Sequence, residues 1–201
     1  MKLYYKPGAC SLSPHIVLRE AGLDFDLVKV DLAKKTLEDG SDFLAVNPKG
    51  QVPTLALGDG GVLTEGPVIV QYIADQVPGS GLIPAAGTIA RYRVQEWLNF
   101  VSSELHKSFS PLFRSNTPDA YKEIARQTLA AKFATLDRHL DGKPYLTGEG
   151  FTVADAYAFV VVGWASRIGI ALDPWPNLDA FMARVAARPA VKETLAAEAQ
   201  G

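Results

Sequence analysis

The sequence predicts an α/β half followed by an all-α half, packed as two domains. Three observations carry this expectation. Strand and helix signals alternate over the first eighty residues. Pro78-Gly-Ser-Gly81 and Pro84-Ala-Ala-Gly87 then read as a linker. Beyond them the signals are helical to the end. The expected domains are 1–80 and 86–201, with 81–85 between them.

The elements follow in order. Lys2 to Tyr5 is short, aromatic and apolar, and it stops at Pro7-Gly8, which reads as a strand entering a loop. Ser13-Pro14 opens a helix, because serine caps and proline lacks an N–H that the first turn does not need. That helix runs to Gly22. Asp26 to Asp31 alternates apolar and polar residues, the pattern of a half-buried strand. Lys34 to Asp42 is polar loop or a short helix. Val52 to Leu57 and Val62-Leu63 flank Gly58-Asp-Gly-Gly61 as a hairpin. A helix begins at Thr64-Glu65-Gly66-Pro67 and runs to about Val77. In the second half, Thr88 to Lys107 carries Val94, Leu98, Val101 and Leu105 on one stripe. Further helices are expected from Thr117-Pro118 to Leu140, from Thr152, from near Pro176 and after Pro189. Thr152-Val-Ala-Asp155 reads as a capping box with a structural role, and Phe151 before it can staple onto the helix.

Composition excludes several classes. The 201 residues are 48% apolar and 21% charged, so disorder is excluded and a large core is available. A net charge of −2 provides no basic field for nucleic acid or acidic lipid. The N-terminus lacks the apolar core of a signal peptide, and the longest apolar stretch, around Tyr157 to Val162, is far too short for a membrane helix. One cysteine, Cys10, permits no internal disulfide and points to a reducing, cytoplasmic location. His15, His106 and His139 have no zinc-type spacing, so no metal is expected. P-loop, GxGxxG and GxSxG motifs are lacking.

Five features could carry chemistry. Cys10 precedes a helix start, where backbone N–H groups favour a thiolate; a small buried filler is the alternative. A cis bond at Val52-Pro53 would leave the Val52 backbone open to an extended peptide, although most such bonds are trans. Glu65-Gly66 lies at a helix start suited to a carboxylate, with Glu65 able to accept from an ammonium. Asn99, Ser103 and His106, with Glu104 and Lys107 nearby, form a polar face that is either solvated or ligand-facing. A histidine so placed could donate to a thiolate. Lys34 or Lys35 could meet a ligand carboxylate.

Together these residues resemble the cytosolic glutathione transferases, and within them the bacterial beta class. The resemblance covers essentially the whole chain. It rests on Met1 to His15 (MKLYYKPGACSLSPH), Asn47-Pro-Lys-Gly-Gln-Val-Pro53, Leu63-Thr-Glu-Gly66, Glu96-Trp-Leu-Asn-Phe100, Ser103-Glu-Leu-His-Lys107 and Phe151-Thr-Val-Ala-Asp-Ala-Tyr157. It implies a thioredoxin-like N-terminal domain, a helical-bundle C-terminal domain, a homodimer and reduced glutathione as co-substrate. It implies that Cys10 lies against the glutathione sulfur and that Val52 pairs with the cysteinyl backbone. Glu65 and Gly66 would hold the γ-glutamyl end and Lys35 the glycyl carboxylate. Asn99, Ser103, Glu104 and His106 would contact the tripeptide from the second domain, Glu104 reaching the partner subunit's ligand. Tyr5 and Ser11 stand where other classes keep a catalytic hydroxyl. The implied reaction is conjugation of glutathione to small hydrophobic electrophiles, with Cys10 and His106 beside the thiol. The electrophile pocket would draw on Phe109, Phe113, Trp164 or Ile168, which also suit a core. Two alternatives stand beside it. One is a monothiol disulfide reductase or peroxidase, since no CxxC is present. The other is a ligand carrier without catalysis.

Overall fold

A computed structural model describes residues 1–200. The elements are β1 (Lys2–Tyr5), α1 (Leu12–Glu20), β2 (Asp26–Asp31), β3 (Thr36–Leu37), β4 (Thr54–Ala56), β5 (Val62–Thr64) and α2 (Gly66–Asp75). They are followed by α3 (Ile89–Phe100), a π-helical segment (Val101–His106), α4 (Lys107–Phe113), α5 (Asp119–His139), α6 (Val153–Gly163), α7 (Pro176–Ala186) and α8 (Pro189–Ala199). The described residues divide into two units, 1–83 with 188–200, and 84–187.

In the first unit the sheet order is β3-β2-β1-β4-β5. β1 and β2 run parallel, which requires the α1 crossover, and the remaining pairs are antiparallel. Leu3, Ile16, Val17, Leu18, Leu55, Ile69, Val70 and Ile73 are fully buried. Tyr4, Val30, Phe43 and Val52 form a second cluster. The 34–42 segment differs from the expected loop or helix. Thr36-Leu37 pairs with Val30-Asp31 as an edge strand, and a 3₁₀ turn follows at Phe43–Ala45, capped by Asp42. α1 also begins earlier than expected, at Leu12, with Ser11 at the N-cap and Pro14 still in the first turn.

The expected helical domain over 86–201 is too long at its C-terminal end. α8 packs on α1 and belongs to the first unit. Arg188 forks onto Glu20 at 2.6 and 2.7 Å, and Glu198 is buried against α1. No local signal distinguishes a helix that returns to the first unit from one that stays in the bundle.

In the second unit Val94, Leu98, Val101 and Leu105 are buried as the stripe predicts. The helix is not continuous, however. A π-helical turn occupies Val101–His106 before α4, and such turns often occur at functional positions. α6 is buried along Val153–Val162, which makes it the central helix of this unit. Its entry is fixed by Asp155, which accepts from Leu146 N–H, Thr152 N–H and the Thr152 hydroxyl, each at 2.8 Å. No helix among the described residues is long and apolar enough to cross a membrane.

Candidate functional site

The first unit gathers its candidate residues around one short segment, Gly50 to Pro53. Asn47 frames that segment. Its buried amide donates to Gln51 O and Thr54 Oγ1, and its oxygen accepts from Lys49 N. Gly50 has φ +60°, and a Cβ there would meet Leu44 at 3.0 Å, so the position requires glycine. The Val52-Pro53 peptide is cis. Cys10 Sγ donates to Val52 O at 3.2 Å, and Lys35 Nζ donates to Gly50 O at 2.8 Å. Glu65 immediately follows Thr64, the register partner of Thr54.

Backbone strain falls on two of these residues. Lys35 (φ 59°) and Glu65 (φ 70°) are the non-glycine residues with positive φ among the described residues. Such conformations cost about 1–3 kcal/mol and cluster where function holds them. Glu65 precedes α2, whose first amide belongs to Gly66 and has no intrahelical partner. The Glu65 carboxylate meets Lys49 Nζ at 2.8 Å on an exposed surface. Such a pair contributes under about 1 kcal/mol, so a ligand ammonium can displace the lysine cheaply.

Gly66 also yields a prediction. Its φ is not positive, and a Cβ there would reach Pro53 Cγ at an ordinary 3.6 Å. Gly66→Ser is therefore expected to fold with a stability change of at most about 1 kcal/mol, read by urea unfolding. A larger loss would show that the backbone needs glycine.

Tyr5 and Ser11 differ from simple expectation. Ser11 is fully buried, accepting from Lys6 N and donating to Lys6 O, so it closes the Lys6–Ser11 loop. Tyr5 is buried, and its pKa is raised by burial and then by Glu198 and Glu38. Neither offers a ready catalytic hydroxyl. A cavity of about 470 Å³ opens beside the same loop, lined by Lys6, Pro7, Lys29, Asp31, Leu32 and Glu38.

Sequence reasoning missed what supports this loop. Gly8 N–H donates to Glu198 Oε2 at 2.8 Å, and His15 Nδ1 lies 2.9 Å from Glu198 Oε1. Glu198 is 183 residues from His15, and no periodicity or motif links the two.

In the second unit the candidates lie on α3 and the π turn. Asn99 and Ser103 are exposed, with Ser103 Oγ donating to Asn99 O. Glu104 pairs with Lys132. His106 is largely buried beside Tyr157 and Trp164. Burial, then Lys107, lowers its pKa to about 4, so it is neutral at pH 7. Of the electrophile candidates, Phe109 and Trp164 are core residues, while Phe113 is half-exposed and stacks on Phe109. A separate cavity of about 560 Å³, lined by Trp97, Phe100 and His139 among others, contains none of the predicted residues.

Comparison with known proteins agrees with this architecture. Family models for the N-terminal and C-terminal domains of glutathione S-transferase match residues 8–76 and 100–189. Glutathione S-transferase GstA of Escherichia coli O157:H7 is 52% identical over 198 residues, 98% of each chain. The solved ternary complex of BphK, a bacterial transferase, superposes with a TM-score of 0.97 at 58% identity, covering 99% of this chain and 100% of that one. A sphingomonad glutathione S-transferase solved with glutathione gives 0.97 at 49% identity, covering both chains fully. A thioredoxin-like sheet unit and a helical unit of this kind define the glutathione transferase fold. The chain belongs to the glutathione S-transferase family and is an enzyme of that type, with bacterial beta-class neighbours.

Proposed function

We propose that this enzyme conjugates reduced glutathione to small hydrophobic electrophiles, and that Cys10 stands beside the glutathione sulfur. The observation that supports it best is the convergence on Gly50–Pro53. Two strained residues, a cis peptide and the single thiol all border one short backbone segment. Glutathione is an extended peptide with two carboxylates, an ammonium and a thiol. Lys35 suits the glycyl carboxylate. The Gly66 amide at the α2 start suits the γ-glutamyl carboxylate, and Glu65 suits the ammonium. Val52 offers its backbone to the cysteinyl part. Asn99, Ser103, Glu104 and His106 enter the proposal from the resemblance, as ligand contacts supplied by the helical unit, with Glu104 serving the partner subunit of a homodimer.

The chemistry is one displacement. The glutathione thiol gives up its proton to water and the thiolate forms a carbon–sulfur bond; either a halide leaves with the bonding electrons, or an activated double bond or epoxide takes them up and is protonated by water. The enzyme lowers the thiol pKa and aligns the sulfur. Each unit of lowering is worth about 1.4 kcal/mol, so two units lie within reach of a helix start and a few hydrogen bonds.

The alternative reading is monothiol thiol–disulfide exchange, in which Cys10 itself attacks a glutathionylated or disulfide substrate. Cys10→Ala separates the two. Conjugation of a chloro-nitroaromatic is expected to survive within about tenfold, while any disulfide reductase activity and any covalent glutathione adduct seen by native mass spectrometry disappear. Failure of the unmodified protein to bind glutathione resin and to conjugate any electrophile would overturn both readings in favour of a ligand carrier.

A further inference from the structure

His106 ends the π turn with its ring edge-on to Trp164, centroids 4.8 Å apart. Its Nδ1 lies 2.7 Å from the Tyr157 hydroxyl of α6. Two arrangements are chemically open: the hydroxyl donates to the nitrogen, or an Nδ1–H donates to the oxygen. The 2.7 Å separation is within reach of both. Acidity favours the first, since a phenol with a pKa of about 10 is a far better donor than a neutral imidazole N–H, and imidazole nitrogen is the better acceptor. An imidazole that accepts at Nδ1 carries its hydrogen on Nε2.

We propose that Tyr157 is a positioning residue whose hydroxyl locks His106 as the neutral Nε2–H tautomer, making it a fixed hydrogen-bond donor rather than an acid or base. Its value to catalysis rests on the proposed function, with His106, which the resemblance puts beside the thiol, donating to the glutathione thiolate. A donor that keeps its proton stabilises a thiolate without reprotonating it. The surroundings agree. Lys107 is the adjacent charge, Glu104 is engaged by Lys132, and burial opposes an imidazolium. His15 provides an internal contrast. Arg19 Nε lies 3.3 Å from His15 Nε2 and can only donate, so His15 accepts at Nε2 and donates from Nδ1 to Glu198. The same chain therefore holds two histidines in opposite tautomers.

Nitrogen-15 NMR of the imidazoles at pH 7 tests this directly. His106 is expected to show a protonated Nε2 and a bare Nδ1, and His15 the reverse. A protonated Nδ1 on His106, or a ring interconverting between tautomers, overturns the proposal. In Tyr157→Phe the His106 signal is expected to become a tautomer mixture, and kcat/KM for conjugation to fall about tenfold, the effect of one hydrogen bond. Should that variant fold poorly by near-ultraviolet circular dichroism, His106→Gln and His106→Asn take its place. Gln carries an N–H near the Nε2 position and is expected to retain more activity than Asn, which does not reach it. Equal activities overturn the Nε2 donor. If the tautomer is as expected and His106→Ala conjugates at full rate, the lock stands and the thiolate role of His106 falls.

Discussion

Glu198→Ala is expected to destabilise the protein by about 3–5 kcal/mol and to loosen the loop that carries Cys10. The carboxylate is nearly fully buried and faces two donors, Gly8 N–H and His15 Nδ1–H. Removing it strands both buried donors, and two hydrogen bonds to a charged acceptor, each worth about 1.5–3 kcal/mol, together account for a loss of that size. Glu198→Gln sharpens the test. An amide has one acceptor oxygen where a carboxylate has two, so glutamine satisfies one donor and presents an N–H to the other. Its loss is expected to be roughly half that of alanine. Urea unfolding measures both, and hydrogen exchange at Gly8 to Cys10 should rise in step. Equal stability of the two variants and the parent would show that α8 is held to α1 by its apolar face alone, through residues such as Val191.

Asp155→Ala is expected to cost the helical unit about 3 kcal/mol, because three donors lose one acceptor in a site with no exposure. Its pH behaviour is a second readout. Burial raises the Asp155 pKa to about 6, against the pull of the Leu146 and Thr152 hydrogen bonds. A carboxyl so raised holds its proton longer when folded. Its contribution to stability is present below about pH 4 and lost as pH rises through 6. His106 runs the other way. Its folded pKa near 4, against an ordinary 6.5, gives stability present above 6.5 and lost as pH falls toward 4. In the parent these two terms oppose each other across the same window. In Asp155→Ala the His106 term is unopposed, so stability is expected to fall more steeply between pH 6.5 and 4 than in the parent. Parallel pH profiles would contradict this.

What could be read of the candidate site was readable because its constraints are local in sequence. Asn47 to Pro53 needs particular residue types for short-range reasons: a turn that takes glycine at Gly50 and a proline that removes a donor. The capping box at Thr152-Asp155 was legible on the same grounds, and the structure gives both residues their partners. The buried stripe of Val94, Leu98, Val101 and Leu105 followed from spacing, even though a π turn interrupts the helix that carries it. That turn had no signal, since one widened turn leaves an apolar stripe of this length almost unchanged. The edge strand at Thr36-Leu37 was equally hidden, because two residues set no period.

What the amino-acid order determined alone is the architecture and the division into a sheet part and a helical part, because strand and helix periodicities and turn residues are local patterns. Tertiary structure alone decided that α8 returns to the first unit, that Glu198 props the Cys10 loop and that Tyr157 meets His106. Those contacts join positions 51 to 190 residues apart. They arise from the packing of helices whose apolar faces look alike in sequence, and only the folded chain selects which polar groups those faces bring together.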